Sequence, residues 1–223
     1  MKKTAILLAV LIMGLPFVIN EKLWAESEIL FEDDFSDPRS GWDFGTFGTK
    51  NDQTGKVGYE DGIYYVRTDK ISTGISPNII MGKANILLSQ IDLEVEATQK
   101  VAPTNDNNSY GVVCRFNQKP YGAYFFLISG DGWYAILKID DGSITPLVNW
   151  AASDAINQGD DTNYLRVVCK VSFLALIVND ELVAAVIDDG LKKGGDIGLV
   201  TITYEDEPSE IWFDNLVVRS PFK

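Results

Sequence analysis

Histidine is absent from all 223 residues. That absence removes Ser-His-Asp and Cys-His nucleophile arrangements, and with them His-ligated zinc or iron. Any catalysis has to run on carboxylates, lysine, tyrosine or arginine. Cysteine is scarce, with only Cys114 and Cys169 present. Positive charge is scarce too: 19 Lys and Arg stand against 32 Asp and Glu, a net charge of −13. A chain this acidic lacks the basic surface that nucleic acid or an anionic membrane requires, so neither is an expected partner. No amphipathic helix is evident, and only residues 151–161 have modest helical character. Low-complexity tracts and internal repeats are not evident either.

No apolar run reaches the ~20 residues needed to span a bilayer. The longest uncharged apolar run, Thr4 to Ile19, has 16 residues and is interrupted by Gly14 and Pro16. Lys2 and Lys3 precede it, and Leu23-Trp24-Ala25 follows as a cleavage site. This is the layout of a bacterial secretory signal peptide over residues 1–25, followed by one secreted domain over 26–223 with no membrane insertion after cleavage. The competing reading is an uncleaved anchor. Cleavage removes three lysines and one glutamate, leaving 16 positive and 31 negative side chains and a net charge of −15.

What the chain does have is β-strand signal. Tyr110 to Asp140 reads as three consecutive strands, Tyr110–Phe116, Ala123–Ser129 and Trp133–Ile139, broken by Gln118-Lys119-Pro120 and Gly130-Asp131-Gly132. Asp61-Gly62 marks a type I′ hairpin. Asp141-Gly142 and Asn179-Asp180 mark further turns. Gly45 to Gly58 reads as an irregular loop, and Ile86 to Thr98 as one strand. About twelve to fourteen short strands with turns every ten or so residues predict an all-β, two-sheet antiparallel β-sandwich.

Each cysteine sits in an apolar strand, Val112-Val113-Cys114-Arg115-Phe116 and Arg166-Val167-Val168-Cys169-Lys170. An even count in an oxidising compartment favours a Cys114–Cys169 disulfide, worth roughly 4 kcal/mol in the chain-entropy account. Two buried free thiols are the alternative. Alternation puts Val112, Cys114 and Phe116 on the core face and Arg115 outside. By the same rule Arg166 and Lys170 point away from Leu165, Val167 and Cys169. If the two cysteine strands are neighbours, Arg115, Arg166 and Lys170 share a basic patch suited to an acidic sugar or a carboxylate. Tyr124 and Trp133, in the central meander, are the aromatic candidates for sugar contact. Trp42 and Trp212 read as core.

The ordered segments Phe31–Trp42 (FEDDFSDPRSGW), Asp61–Val66 (DGIYYV), Tyr110–Phe116, Tyr124–Lys138, Asn163–Lys170, Leu176–Val183, Gly195–Val200 and Trp212–Val218 carry a resemblance. The chain resembles bacterial extracellular concanavalin A-like, laminin G-like jelly rolls, grouped with domains of the 3-keto-disaccharide hydrolase type. The resemblance covers nearly all of residues 28–220 and implies a jelly roll with a shallow concave face. It also implies adjacent first and last strands, where related carbohydrate-binding domains hold a structural calcium. The acids at those ends make Asp33 and Asp214 the expected ligands. Jelly-roll glucanases similar to laminarinases carry Glu-x-Asp-x-x-Glu. The nearest stretch here, Asp92-Leu93-Glu94-Val95-Glu96, lacks that spacing and reads as a solvated strand face. No catalytic residue is assigned. The expectation is a non-catalytic module that binds a glycan or cell-surface polysaccharide. The alternatives are a jelly-roll glycoside hydrolase or lyase and a purely structural extracellular domain.

Overall fold

The structure is a computed structural model that describes residues 27–49, 52–69 and 77–221; the expected signal segment lies outside the described residues. Fifteen strands form two antiparallel sheets, and among the described residues there is no helix. The strands are β1 (Ile29–Asp33), β2 (Gly45–Thr49), β3 (Asp52–Glu60), β4 (Ile63–Thr68), β5 (Asn78–Lys83), β6 (Ile91–Val101), β7 (Ser109–Gln118), β8 (Tyr121–Ser129), β9 (Trp133–Asp140), β10 (Ser143–Ala152), β11 (Thr162–Lys170), β12 (Phe173–Val178), β13 (Glu181–Ile187), β14 (Asp196–Thr203) and β15 (Ser209–Arg219). The nine-stranded sheet runs β13-β12-β11-β6-β15-β4-β3-β2, with β1 also paired to β15. The six-stranded sheet runs β10-β9-β8-β7-β14-β5. The first and last strands therefore lie side by side, as the resemblance implies.

Local sequence explains the hairpins. Asp61 and Gly62 sit at φ +50° and +83°, as a type I′ turn requires, and Asp141 and Gly142 at +47° and +81°. Gly111 allows a close approach between β7 and β8, because a Cβ there would lie 2.1 Å from the Phe126 carbonyl oxygen. The core lies between the sheets and takes alternate residues from each: Val112 and Cys114 from β7, Tyr124, Phe126 and Ile128 from β8, Leu165, Val167 and Cys169 from β11, Ile211 and Phe213 from β15. A second apolar cluster lies on the opposite side of the six-stranded sheet. It contains Val113, Ala123, Phe125, Leu127, Ile139, Val200 and Ile202, none more than 6% exposed.

Several expectations are corrected. The described part of Gly45 to Gly58, residues 45–49 and 52–58, lies in the paired strands β2 and β3 rather than in a loop. Its glycines hide the alternation but serve packing, since a Cβ on Gly55 would sit 2.3 Å from the Arg67 carbonyl oxygen. Residues 151–161 hold the end of β10 and turns, not a helix. The strand expected from Ile86 begins at Ile91, preceded by a lone bridge between Leu88 and Gly195. Cys114 and Cys169 are free and buried, not joined. They project from facing sheets and meet across the core, where burial and then the neighbouring Cys169 push the Cys114 thiol well up. Trp42 is core at 5% exposure. Trp212 is not: it lies half-buried on the outer face of the nine-stranded sheet, with its indole N–H donating to Glu210 and the Lys100 ammonium over its ring.

Candidate functional site

A cleft of about 380 Å³ opens at one end of the six-stranded sheet, on the side away from the core. Its walls are Trp133, Trp150 and Tyr204, and its polar groups are Asn107, Ser109, Ser129 and Asp131. Trp133 and Trp150 are 42% and 37% exposed. The β8–β9 turn builds one side. The Ser129 hydroxyl donates to Asp131 Oδ1 at 2.5 Å and accepts the Trp133 backbone N–H at 2.9 Å. Gly132, at φ +87°, lets the chain reverse so that β9 starts on Trp133. On β10 a bulge between Val148 and Ala151 interrupts the register just where Trp150 sits. Ser109 and Ser129 face each other on β7 and β8. The Ser109 hydroxyl lies 3.2 Å from the Tyr204 hydroxyl, just past the end of β14. Burial pushes the Tyr204 hydroxyl up, partly offset by Ser109, so it stays a neutral donor and acceptor.

Chemically this is two broad indole faces, a phenol, two hydroxyls, an amide and one carboxylate around an open cavity. Aromatic rings offer apolar area with a polar handle, and the hydroxyls, amide and carboxylate can donate or accept directional hydrogen bonds. That combination fits a polyhydroxylated ring with an apolar face. Among the described residues, Asp131 is the single carboxylate in the lining. The neighbouring outward positions on β8 are Leu127, Phe125 and Ala123, all apolar.

Of the residues singled out from sequence, only Trp133 lies in this cleft. Arg115 does not point outward. A bulge in β7, with Arg115 at φ +54° and the register slipping between Cys114 and Asn117, reverses the alternation at this point. Phe116 therefore packs against the outer apolar cluster. Arg115 is 3% exposed and donates to the carbonyls of Ser89 and Leu191 at 3.1 and 2.6 Å. Tyr124 is fully buried, facing the core by the alternation of β8. Its hydroxyl donates to Asp188 Oδ1 at 2.5 Å and accepts the Leu191 N–H.

The expected basic patch does not form, because the cysteine strands face one another rather than lying edge to edge. Arg166 is on the outer face of the nine-stranded sheet, held by Asp92 through paired bonds of 2.8 and 2.6 Å. Lys170 lies farther along the same strand, half-buried. Asp92, Glu94 and Glu96 share that face, as their period of two predicts, but they are not simply solvated. Glu94 accepts from Arg219, and Glu96 from the Asn215 amide.

The two acids expected to hold calcium both accept hydrogen bonds from the protein itself. Asp33 is buried and accepts the Phe35 N–H on Oδ1 and the Trp42 indole N–H on Oδ2. Asp214 accepts the Asn215 backbone N–H. Among the described residues, no three acids, cysteines or histidines converge as metal ligands. Trp150, Tyr204 and Asp131 were not singled out as ligand residues from sequence. Trp150 lies in a Pro-containing strand whose bulge hides its direction, and Tyr204 sits beyond a strand end where alternation no longer applies.

No family model matches the chain, and no curated protein sequence matches it significantly. Solved structures do match. The carbohydrate-binding module CBM66 from Bacillus subtilis has 14% sequence identity and a TM-score of 0.57, over 81% of this chain and 96% of its own. A prokaryotic β-1,3-1,4-glucanase (lichenase) from a mouse hindgut metagenome has 13% identity and a TM-score of 0.62, over 86% and 99%. A non-specific endo-β-1,3(4)-glucanase of family GH16 has 11% identity and a TM-score of 0.61, over 88% and 92%. The fold is a concanavalin A-like jelly roll. At these identities the similarity concerns fold alone, and the same jelly roll serves binding modules and hydrolases alike.

Proposed function

We propose that this jelly roll is a secreted, non-catalytic carbohydrate-binding module that grips a glycan in the Trp133–Trp150 cleft. The observation that carries the reading is the lining itself: two exposed tryptophans and a tyrosine with, among the described residues, a single carboxylate, Asp131. Glycoside hydrolysis in its usual form needs two carboxyl groups flanking the bond. A binding site needs only a ring platform and a few directional polar groups. The matched fold includes a carbohydrate-binding module, which agrees with this use of the scaffold. An extracellular setting suits both the N-terminal sequence and the strong negative charge.

The test is a glycan array with the protein and its Trp133→Ala and Trp150→Ala variants, alongside a reducing-end assay on any polysaccharide that binds. The reading expects selective binding that each variant weakens by about tenfold or more, with no release of reducing ends. Binding that ignores both substitutions, no binding at all, or turnover of the bound polysaccharide would each overturn it.

A further inference from the structure

The opposite side of the sandwich carries a second groove, of about 700 Å³, on the outer face of the nine-stranded sheet. Its floor is Glu94 and Glu96 of β6 with Arg166 of β11. Asn215 bounds it on one side, at φ +52° on a bulge of β15 that lifts its amide to within 3.1 Å of Glu96 Oε1. The other side is Tyr164, Asp180 and Leu182. The β12–β13 turn that bears Asp180 is tied down by Asn179, whose side chain accepts the Tyr164 N–H and donates to Ala155 and Asn163. Tyr164 is 59% exposed, so its ring is available over the cavity.

We propose that this groove is a second saccharide site, and that it takes an oligosaccharide of cationic amino sugars. Three carboxylates, Glu94, Glu96 and Asp180, line it with one guanidinium. That guanidinium is matched by Asp92 through hydrogen bonds of 2.8 and 2.6 Å, with Glu94 3.6 Å away. Glu94 is matched in turn by the Arg219 guanidinium at 2.9 Å, so the excess negative charge of the groove is that of Glu96 and Asp180. Among the described residues, Glu96 Oε2 and Asp180 have no hydrogen-bond or ion-pair partner. An ammonium donates three hydrogen bonds and meets such carboxylates well, while the Tyr164 ring supplies the apolar face against which a sugar ring lies. The two sites lie on opposite faces of the domain, so a polysaccharide bearing both kinds of unit could be held from two sides.

The experiment is calorimetric titration of the full chain with a glucosamine hexamer at low ionic strength and about pH 6, where sugar amines and protein carboxylates are both charged. One hexamer is expected to bind. Tyr164→Ala and Glu96→Gln are each expected to weaken it about tenfold; Glu96→Gln keeps the acceptor that Asn215 uses, and Tyr164 is exposed enough that its loss leaves the fold intact. The neutral N-acetylglucosamine hexamer should bind at least tenfold more weakly. Unchanged affinity in both groove variants, equal binding of the neutral hexamer, or no binding of the glucosamine hexamer would overturn the proposal. Equally tight binding of hexalysine would overturn the sugar assignment in favour of a basic peptide. Loss of binding in Trp133→Ala would place the hexamer in the first cleft, which sinks this inference while leaving the proposed function standing. Failure of the glycan array with retained hexamer binding would do the reverse.

Discussion

Cys114 of β7 and Cys169 of β11 meet across the sandwich as free thiols, each 1% exposed. They join the two sheets at the level of packing, not of covalent bonds. Reactivity needs thiolate and access; access is withheld from both, and burial also holds the Cys114 thiol protonated. A disulfide-forming thiol reagent at about pH 8 is expected to modify neither cysteine in the native state, and to titrate both once guanidinium unfolds the chain. Rapid native modification would mean that the sheets open far more often than this core implies. No titratable thiol after unfolding would mean that the pair had oxidised.

Arg115 is a clamp rather than a ligand. Its guanidinium lies 5.8 Å from the centre of the Tyr124 ring and bonds the carbonyls of Ser89 and Leu191, which belong to two separate loops. Arg115→Met would leave both carbonyls without these donors. A loss of about 3 kcal/mol is expected in urea unfolding, from two charge-assisted hydrogen bonds. Glycan binding by the variant, measured below its unfolding midpoint, should be unchanged. A variant of wild-type stability that no longer binds sugar would restore the ligand role that the sequence suggested.

Tryptophan emission offers a direct reading of the cleft. Trp42 is buried against Phe35 and Tyr64, and Trp212 lies half-buried beneath the Lys100 ammonium, whereas Trp133 and Trp150 are open to solvent. Acrylamide should quench the native protein lacking residues 1–25, and with them Trp24, mainly through Trp133 and Trp150. A glycan that occupies the cleft should protect them and shift emission to the blue. Trp133→Ala with Trp150→Ala should abolish both effects. A ligand-induced shift that persists in the double variant would point to Trp212 and the opposite sheet.

The fold was legible because its signals are redundant. Every strand from Tyr110 to Asp140 is bracketed by turn residues, and core alternation on β8 and β11 runs without a break through Tyr124, Phe126 and Ile128 and through Leu165, Val167 and Cys169. The site was much less legible, for a physical reason. Bulges place key side chains, and a bulge leaves no simple trace in composition. One at Arg115 turns a supposed surface arginine inward and sends Phe116 out. Another sits at Trp150 in the cleft wall, and a third lifts Asn215 over the second groove. The basic patch failed for a different reason: alternation gives the face of a residue within its own sheet, but not which sheet that strand joins. Cys114 and Cys169 do come together, yet from opposing sheets, so Arg115, buried on β7, and Arg166, on the outer face of the nine-stranded sheet, share no face.

Asp188 sets the acid limit of one end of the sandwich. Its Oδ1 accepts the Tyr124 hydroxyl at 2.5 Å and the Gly190 N–H at 2.9 Å, and its Oδ2 accepts the Lys138 ammonium at 2.8 Å. Burial alone would push this carboxyl up, but the bonds from Lys138, Tyr124 and Gly190 outweigh it and hold it below the usual range. The folded state therefore binds this proton less readily than the unfolded chain, where an aspartate titrates near about 3.9. The resulting stability is fully present above that value and is lost as pH falls through the lower, folded value. Asp188→Asn removes the charge that matches Lys138 and is expected to cost about 2 kcal/mol at neutral pH. Urea midpoints of the two proteins, measured from about pH 7 down to about pH 3, should show a constant gap above about pH 5 that narrows below about pH 4. A gap that holds its full width to the lowest pH would show that the carboxylate charge of Asp188 is not what ties β8, β9 and the segment after β13 together.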